Sequence, residues 1–362
     1  MRLPAELRRR GGADTLFGLL GLLGETMPTV AALSGVGRRE PRPVERGLPL
    51  VVTEVAAAAG DVAVLRLADP ASAPLPPWTP GCHVDVRLPS GGLRQYSLCG
   101  DPADRSAYRI AVRLVRDGRG GSAEVHALVP GSVVTVSGPR TAFHFTGGGP
   151  HLFVAGGIGI TPILPMVAEA ARRGEEWRLL YLGRSRDSLP FLDELARHGD
   201  RVTVRTDDEH GLPGPDLLAA YDGDGNGPQP GFAGGLAAAA VYCCGPAPLL
   251  ALVREAARDA RAFHAERFAP APVVDGRPFT VKLAGTGRTV EVAADKTMLD
   301  ALSDAVPSVA YSCRQGFCGT CRVTVLAGGI EHRDRFPERL RRDDEMMPCV
   351  SRAEGDHLII DL

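Results

Sequence analysis

Between about residues 47 and 145 the chain alternates apolar and polar positions in short runs, most regularly in VDVRL and YRIAVRLV. The same stretch holds LPLVVTEVAAA, VAVLRLAD, LRQYSLCG and SVVTVSGP, punctuated by glycine, proline and other turn residues. A period of two puts successive side chains on opposite faces, so each run predicts a strand with one buried face. Many short strands so punctuated predict a barrel or sandwich. Near residue 150 the period changes. HLFVAGG, WRLLYLGRS, RVTVRTDD and AAVYCCGP read as strands, whereas TPILPMVAEAARRG, LPFLDELARHG and APLLALVREAARDA read as helices. Strands alternating with helices predict a parallel sheet wrapped by helices.

A proline-rich joint, APAPVVDGRP at 269–278, ends this unit. Beyond it FTVKLAGTGRTVEVAADKTMLDAL reads as a hairpin and a short helix, followed by a cysteine cluster. The expected organisation is an N-terminal extension (1–46), a β domain (47–146), an α/β domain (147–268), a linker (269–278) and a small β-rich cysteine domain (279–362). The stretch DGDGNGPQPGFAGG, 222–235, is nearly all loop chemistry and reads as a solvated insertion. In the extension Leu16, Leu19, Leu20 and Leu23 lie at helical spacing behind Asp14. That predicts a packed amphipathic helix, with membrane-surface docking of residues 14–24 as the alternative.

A length of 362 residues with 44% hydrophobic content supplies two or three cores. The formal net charge of −2 argues against a nucleic-acid partner. No apolar run approaches the ~20 residues needed to span a bilayer. Of eight cysteines, Cys82, Cys99, Cys243 and Cys244 sit in apolar contexts, while Cys313, Cys318, Cys321 and Cys349 follow the spacing C-x4-C-x2-C-x27-C. Disulfide frameworks belong mostly to small secreted domains, so these four read as a metal site in a reducing, cytoplasmic compartment. Structural zinc commonly pairs two C-x2-C knuckles, and only one is present. The spacing is that of plant-type [2Fe–2S] sites, with zinc as the alternative. Gly316 and Gly319 fit loop positions where backbone N–H groups approach the sulfides.

Four further motifs carry candidate chemistry. In LRQYSL, 93–98, Arg94 and Tyr96 share one face of an extended chain and Ser97 turns to the other. Arg94 suits a phosphate, Tyr96 offers a flat ring, and Ser97 offers a hydrogen bond to a ring nitrogen; the alternative is an ordinary half-buried strand. In GRGGSAEVH, 118–126, glycines run into a helix with Ser122 near its start, which makes either an anion site or a plain cap. AGGIGITP, 155–162, follows a strand and opens a helix, with Thr161 suited to the N-cap and Pro162 to the first helical position. Its glycines admit a pyrophosphate or nicotinamide to the backbone, though the run lacks the third glycine of G-x-G-x-x-G and a purely structural turn is the alternative. YCCGP, 242–246, ends a later strand, where ligands of open α/β sheets bind and a cysteine faces the crevice, with a buried structural cysteine as the alternative.

With R-x-Y-S, GGSAEVH, GGIGITP, CCGP and the cysteine spacing in this order, the chain resembles the phthalate dioxygenase reductase family, which includes vanillate O-demethylase reductases, over about residues 47–362. The resemblance implies an antiparallel β-barrel flavin domain, an α/β ferredoxin-reductase-like NAD domain with a parallel sheet, and a C-terminal α+β plant-type ferredoxin domain of β-grasp type. It implies FMN held by Arg94, Tyr96 and Ser97, with Gly121 and Ser122 at its phosphate. A nicotinamide would be cradled by Gly156, Gly157, Gly159, Thr161 and Pro162 together with Cys244, Gly245 and Pro246. Phe268 would cover the isoalloxazine until nicotinamide displaces it. Hydride would pass from nicotinamide C4 to flavin N5, with Ser97 orienting N5 and Cys244 packing near C4, and single electrons would continue to the cluster. NADH is the expected coenzyme; an arginine in GRSR, 183–186, keeps NADPH open, with Asp187 beside it. The implied partner is a terminal oxygenase, Rieske-type first and haem monooxygenase second, served by a monomer. A stand-alone flavin reductase or NADH oxidase, and a non-catalytic redox sensor, are the alternatives from other classes.

Overall fold

The computed structural model describes residues 47–116, 120–141, 143–222, 231–268, 273–306, 309–311, 314–316, 319–334 and 341–362. The amphipathic stretch 14–24 lies outside them.

Six strands, β1 (Leu48–Ala59), β2 (Val62–Ala68), β3 (Cys82–Arg87), β4 (Leu93–Ser97), β5 (Ala107–Arg113) and β6 (Val133–Thr141), pair in the order β4-β3-β6-β1-β2-β5. All their ladders are antiparallel. Leu98 bridges Ile110, which joins the two ends of that order and closes the sheet as a barrel. Alternate residues fill the interior, among them Leu65, Leu67, Val84, Val86, Val134 and Val136. Val62 and Val64, on the other face of β2, pack instead into the core of the α/β unit. Burial on both faces explains why VAVLRLA reads as a nearly continuous apolar run.

The second sheet is wholly parallel, with β7 (His151–Gly156), β8 (Trp177–Gly183), β9 (Val202–Thr206), β10 (Ala240–Cys244) and β11 (Ala262–Glu266) in the order β11-β10-β7-β8-β9. The chain runs outward from β7 to β9, then returns to the other side of β7 for β10 and β11. The carboxyl ends of β7 and β10 therefore flank a topological switch point, the place where such sheets bind ligands. The helix expected over 189–199 is shorter, Leu192–Ala196, because Phe191 takes a left-handed φ of 65° and buries its ring. The stretch 222–235 is not simply solvated either. Phe232 is fully buried and packs with Tyr221 and Leu236 on the sheet face that holds Leu152 and Val241; residues 223–230 lie outside the described residues.

The third unit holds β12 (Phe279–Leu283), β13 (Thr289–Val292), β14 (Val323–Ala327), β15 (Ile330–Glu331), β16 (Glu345–Met346), β17 (Arg352–Ala353) and β18 (His357–Ile360). The main sheet runs β13-β12-β18-β14-β16, with β12 parallel to β18, and β15 pairs with β17. Thr297 caps the helix Met298–Ala305 by accepting from the Asp300 N–H at 3.0 Å. Met298, Leu299 and Leu302 of that helix meet Val281, Val292 and Leu358 of the sheet. Barrel, α/β sheet and mixed ferredoxin-type sheet follow one another as expected.

Candidate functional site

Arg94, Tyr96 and Ser97 line one groove of about 530 Å³, so Ser97 does not turn away from its neighbours as strict alternation predicts. It is the last residue of β4, where the chain leaves β3 and Leu98 crosses to bridge β5. Burial pushes the Tyr96 phenol up to about 12, so it stays a neutral donor at physiological pH. Gly121 lines the same groove, and a Cβ there would lie 2.1 Å from Arg94 Nε. Gly121 lets the helix Gly121–His126 sit against that guanidinium without displacing it. Ser122 does not cap this helix; its Oγ accepts from the Val115 N–H at 2.9 Å and fixes the preceding loop.

Ser97 is buried and hydrogen-bonds the carboxyl of Glu266, a residue the sequence reading missed. Glu266 ends β11, in register with Cys244 of β10. Its Oε2 has no hydrogen-bond partner among the described residues. Burial raises its pKa to about 8, against the opposing pull of the Ser97 hydrogen bond. The available signal was a carboxylate closing the strand AFHAE at the ligand end of a parallel sheet.

A second groove, of about 750 Å³, is lined by Gly156, Gly157, Gly159, Gly245 and Pro246 at the switch point. Gly157 has φ +56°, and a Cβ on Gly159 would lie 2.2 Å from the Cys244 carbonyl oxygen. The turn Gly157–Gly159 runs straight into the helix Ile160–Arg172. The helix therefore starts two residues earlier than the cap reading predicts. Its N-cap is Gly159, and Thr161 lies inside it, donating to the Ile158 carbonyl at 3.0 Å. Pro162 accordingly sits in the third helical position, not the first. The Cys244 thiol is fully buried in the core beneath and is held well above the usual thiol range by that burial; it lines neither groove. Arg184 and Asp207 line the second groove, whereas Arg186 and Asp187 face a different cleft with Glu54 and Glu194. Arg113, Ile158 and the half-exposed Phe268 line both grooves, which therefore meet at those residues.

Cys321 and Cys349 are buried at 4% and 2% exposure; Cys313 and Cys318 lie outside the described residues. Gly316 and Gly319 take left-handed φ values of 76° and 73°. The cysteine loop touches the other units directly. Tyr311 donates to the Leu93 carbonyl at 3.1 Å, and Gln315 Nε2 donates to the Arg267 carbonyl at 2.6 Å. A crevice lined by Glu266, Gln315 and Cys349 lies between them. The first groove fits a flavin mononucleotide: a guanidinium beside a cradle that a Cβ would fill, a neutral aromatic donor, and the Ser97 hydroxyl, which is backed by Glu266 from the neighbouring crevice. The two described thiols, buried beside left-handed glycines, fit the donor set of an iron–sulfur cluster.

Comparison with known proteins agrees with this arrangement. The 2Fe-2S iron-sulfur cluster binding domain matches residues 281–354. The beta subunit of phenoxybenzoate dioxygenase from Ectopseudomonas oleovorans is 41% identical over 86% of this chain and 97% of its own length. The beta subunit of a heme-dependent oxidative N-demethylase from Ectopseudomonas mendocina (strain ymp) is 39% identical over 80% of this chain and 90% of its own. A solved structure of phthalate dioxygenase reductase, described as modular for electron transfer from pyridine nucleotides to [2Fe–2S], superposes with a TM-score of 0.65 at 34% identity, covering 88% of this chain and 98% of that one. Barrel, dinucleotide-type α/β sheet and [2Fe–2S] domain on one chain define an NAD(P)H-dependent iron–sulfur flavoprotein oxidoreductase. Within that class the chain belongs to the phthalate dioxygenase reductase family. Among the described residues no helix is long and apolar enough to cross a membrane.

Proposed function

We propose that this chain is the reductase component of an oxygenase system, with the barrel at 47–146, the nucleotide domain at 147–268 and the ferredoxin domain at 279–362. Electrons pass from a reduced nicotinamide through FMN to a [2Fe–2S] cluster on Cys313, Cys318, Cys321 and Cys349, and on to a terminal oxygenase. The observation that carries this reading is the meeting of the two grooves at Arg113, Ile158 and Phe268, with the cysteine loop as a wall of the first. When bound, the flavin converts the two-electron delivery of a nicotinamide into the single-electron steps that a cluster accepts.

The chain's own residues do the positioning. Arg94 and the backbone at Gly121 and Ser122 would hold the flavin phosphate, and Tyr96 would pack against the ring. Ser97, hydrogen-bonded to Glu266, would orient the flavin N5 edge, and Glu266 would keep its proton at neutral pH. Gly156, Gly157, Gly159, Gly245 and Pro246 admit the nicotinamide to the backbone, Thr161 and Pro162 stiffen the turn, and Cys244 packs beneath it as a neutral, apolar thiol. Phe268, half-exposed where the grooves meet, would cover the flavin ring until a nicotinamide displaced it. Asp207, at the end of β9, suits the free ribose hydroxyls of NADH; Arg184 beside it keeps NADPH as the second coenzyme.

A Rieske-type oxygenase is the first acceptor, and the chain works as a cytoplasmic monomer. The N-demethylase relative, whose name is heme-dependent, favours a haem-containing acceptor as the second reading. Substituting Cys313→Ser should abolish NADH-dependent reduction of cytochrome c while sparing dye reduction coupled to flavin alone. Equal loss of both activities would contradict the order flavin, cluster, acceptor. Turnover restored by a Rieske-type but not a haem oxygenase, on mixing with this protein and NADH, separates the two acceptors.

A further inference from the structure

Tyr311 and Arg314 flank Cys313 in sequence and belong to the ferredoxin unit, yet both line the flavin-type groove with Arg94, Tyr96 and Ser97 of the barrel. The Tyr311 hydroxyl is tied to the Leu93 carbonyl at 3.1 Å. The Arg314 guanidinium lies over the Tyr311 ring, 4.4 Å from its centroid. Arg314 also holds a left-handed φ of 53°, a conformation unfavourable for any residue with a Cβ. Strain of this kind persists where the surroundings fix it, and functional sites are where it gathers.

The Arg314 guanidinium pairs with one carboxylate, Asp300, on the side away from the groove. Asp300 Oδ1 lies 3.5 Å away, and the other oxygen of Asp300 accepts from the Thr297 hydroxyl at 2.7 Å. Asp300 does not line the groove, whereas Arg314 does, with its side chain only 24% exposed. A guanidinium is charged at every accessible pH, and in a partly buried site its field is screened less than at a free surface. Net charge and nearby donors are among the levers that set cluster potentials.

We propose that Arg314 is an electrostatic tuning residue, a charge that the cysteine loop places beside the flavin groove. It raises the reduction potentials of the flavin and of the adjoining cluster, because each arriving electron adds a negative charge within its field. The inference rests on the reductase reading above.

The test is a spectroelectrochemical titration of the purified holoprotein, flavin saturating, at low and high salt. Arg314→Gln should lower both midpoint potentials, and Arg314→Lys should leave them near wild type. Asp300→Asn, which removes the offsetting carboxylate, should raise them, and high salt should shrink every shift. A purely structural Arg314, needed only for its stack on Tyr311, would lower stability or flavin occupancy in the Gln and Lys variants alike and leave the potentials unmoved; that result overturns the proposal. If the Gln variant does not retain its cofactors, Asp300→Asn decides alone, and an unchanged or lowered potential overturns it. A wild-type protein without flavin and [2Fe–2S] bands would overturn the underlying reading, whereas bands present with unmoved potentials overturn only this inference.

Discussion

Glu266 is a buried carboxyl whose ionisation departs far from its ordinary range. In the unfolded chain its carboxyl ionises near 4.5, and in the folded protein near 8. The folded state thus keeps a proton that the unfolded state releases between those values. The stability this confers is complete below about pH 4.5 and is lost as pH rises through about 8. Thermal unfolding of the wild type should therefore lose ground to Glu266→Gln across that window, and parallel pH profiles would contradict the assignment. Ser97→Ala removes the partner hydroxyl. It should lower kcat with NADH by roughly tenfold, the worth of about one hydrogen bond, with KM changed much less; a loss confined to KM would place Ser97 in binding alone. Ser97 was legible in the sequence because it sits in R-x-Y-S at a strand end. Glu266 was not, since its burial depends on a barrel strand far away in the chain and a terminal carboxylate ordinarily reads as exposed.

At the scale of elements, periodicity found the barrel strands and four of the five strands of the parallel sheet, missing the edge strand β11. It failed where backbone geometry decides. The helix over 189–199 is cut short by left-handed Phe191. The cap at Thr161 was misplaced because the glycine turn is itself helical. Phe232, in a run of loop residues, proved to be a core anchor because one aromatic among glycines carries no period. The glycine turn makes a direct prediction. Gly159→Ala would set a methyl group 2.2 Å from a backbone oxygen, which cannot move aside cheaply. The thermal midpoint should fall by an amount equivalent to about 1–3 kcal/mol, as for other overpacked sites. KM for NADH should rise more than kcat falls. A stable variant with wild-type KM would show that the turn does not hold the nucleotide.

At the scale of the molecule, three sheets and a cysteine spacing announced three cofactors, but not how the units touch. The contacts that bring the cysteine loop to the barrel and to the α/β unit, Tyr311 to Leu93 and Gln315 to Arg267, use backbone carbonyls as acceptors. A carbonyl leaves no trace in side-chain pattern, so this coupling is visible only in three dimensions. The central claim is that flavin and cluster lie on one electron path entered from the nicotinamide groove. Its most direct test is an anaerobic titration of the purified protein with NADH, followed by visible absorbance. The reductase reading predicts flavin and [2Fe–2S] bands that both bleach as NADH is added. A colourless protein carrying zinc, or a cluster band that NADH leaves untouched while the flavin bleaches, would contradict it.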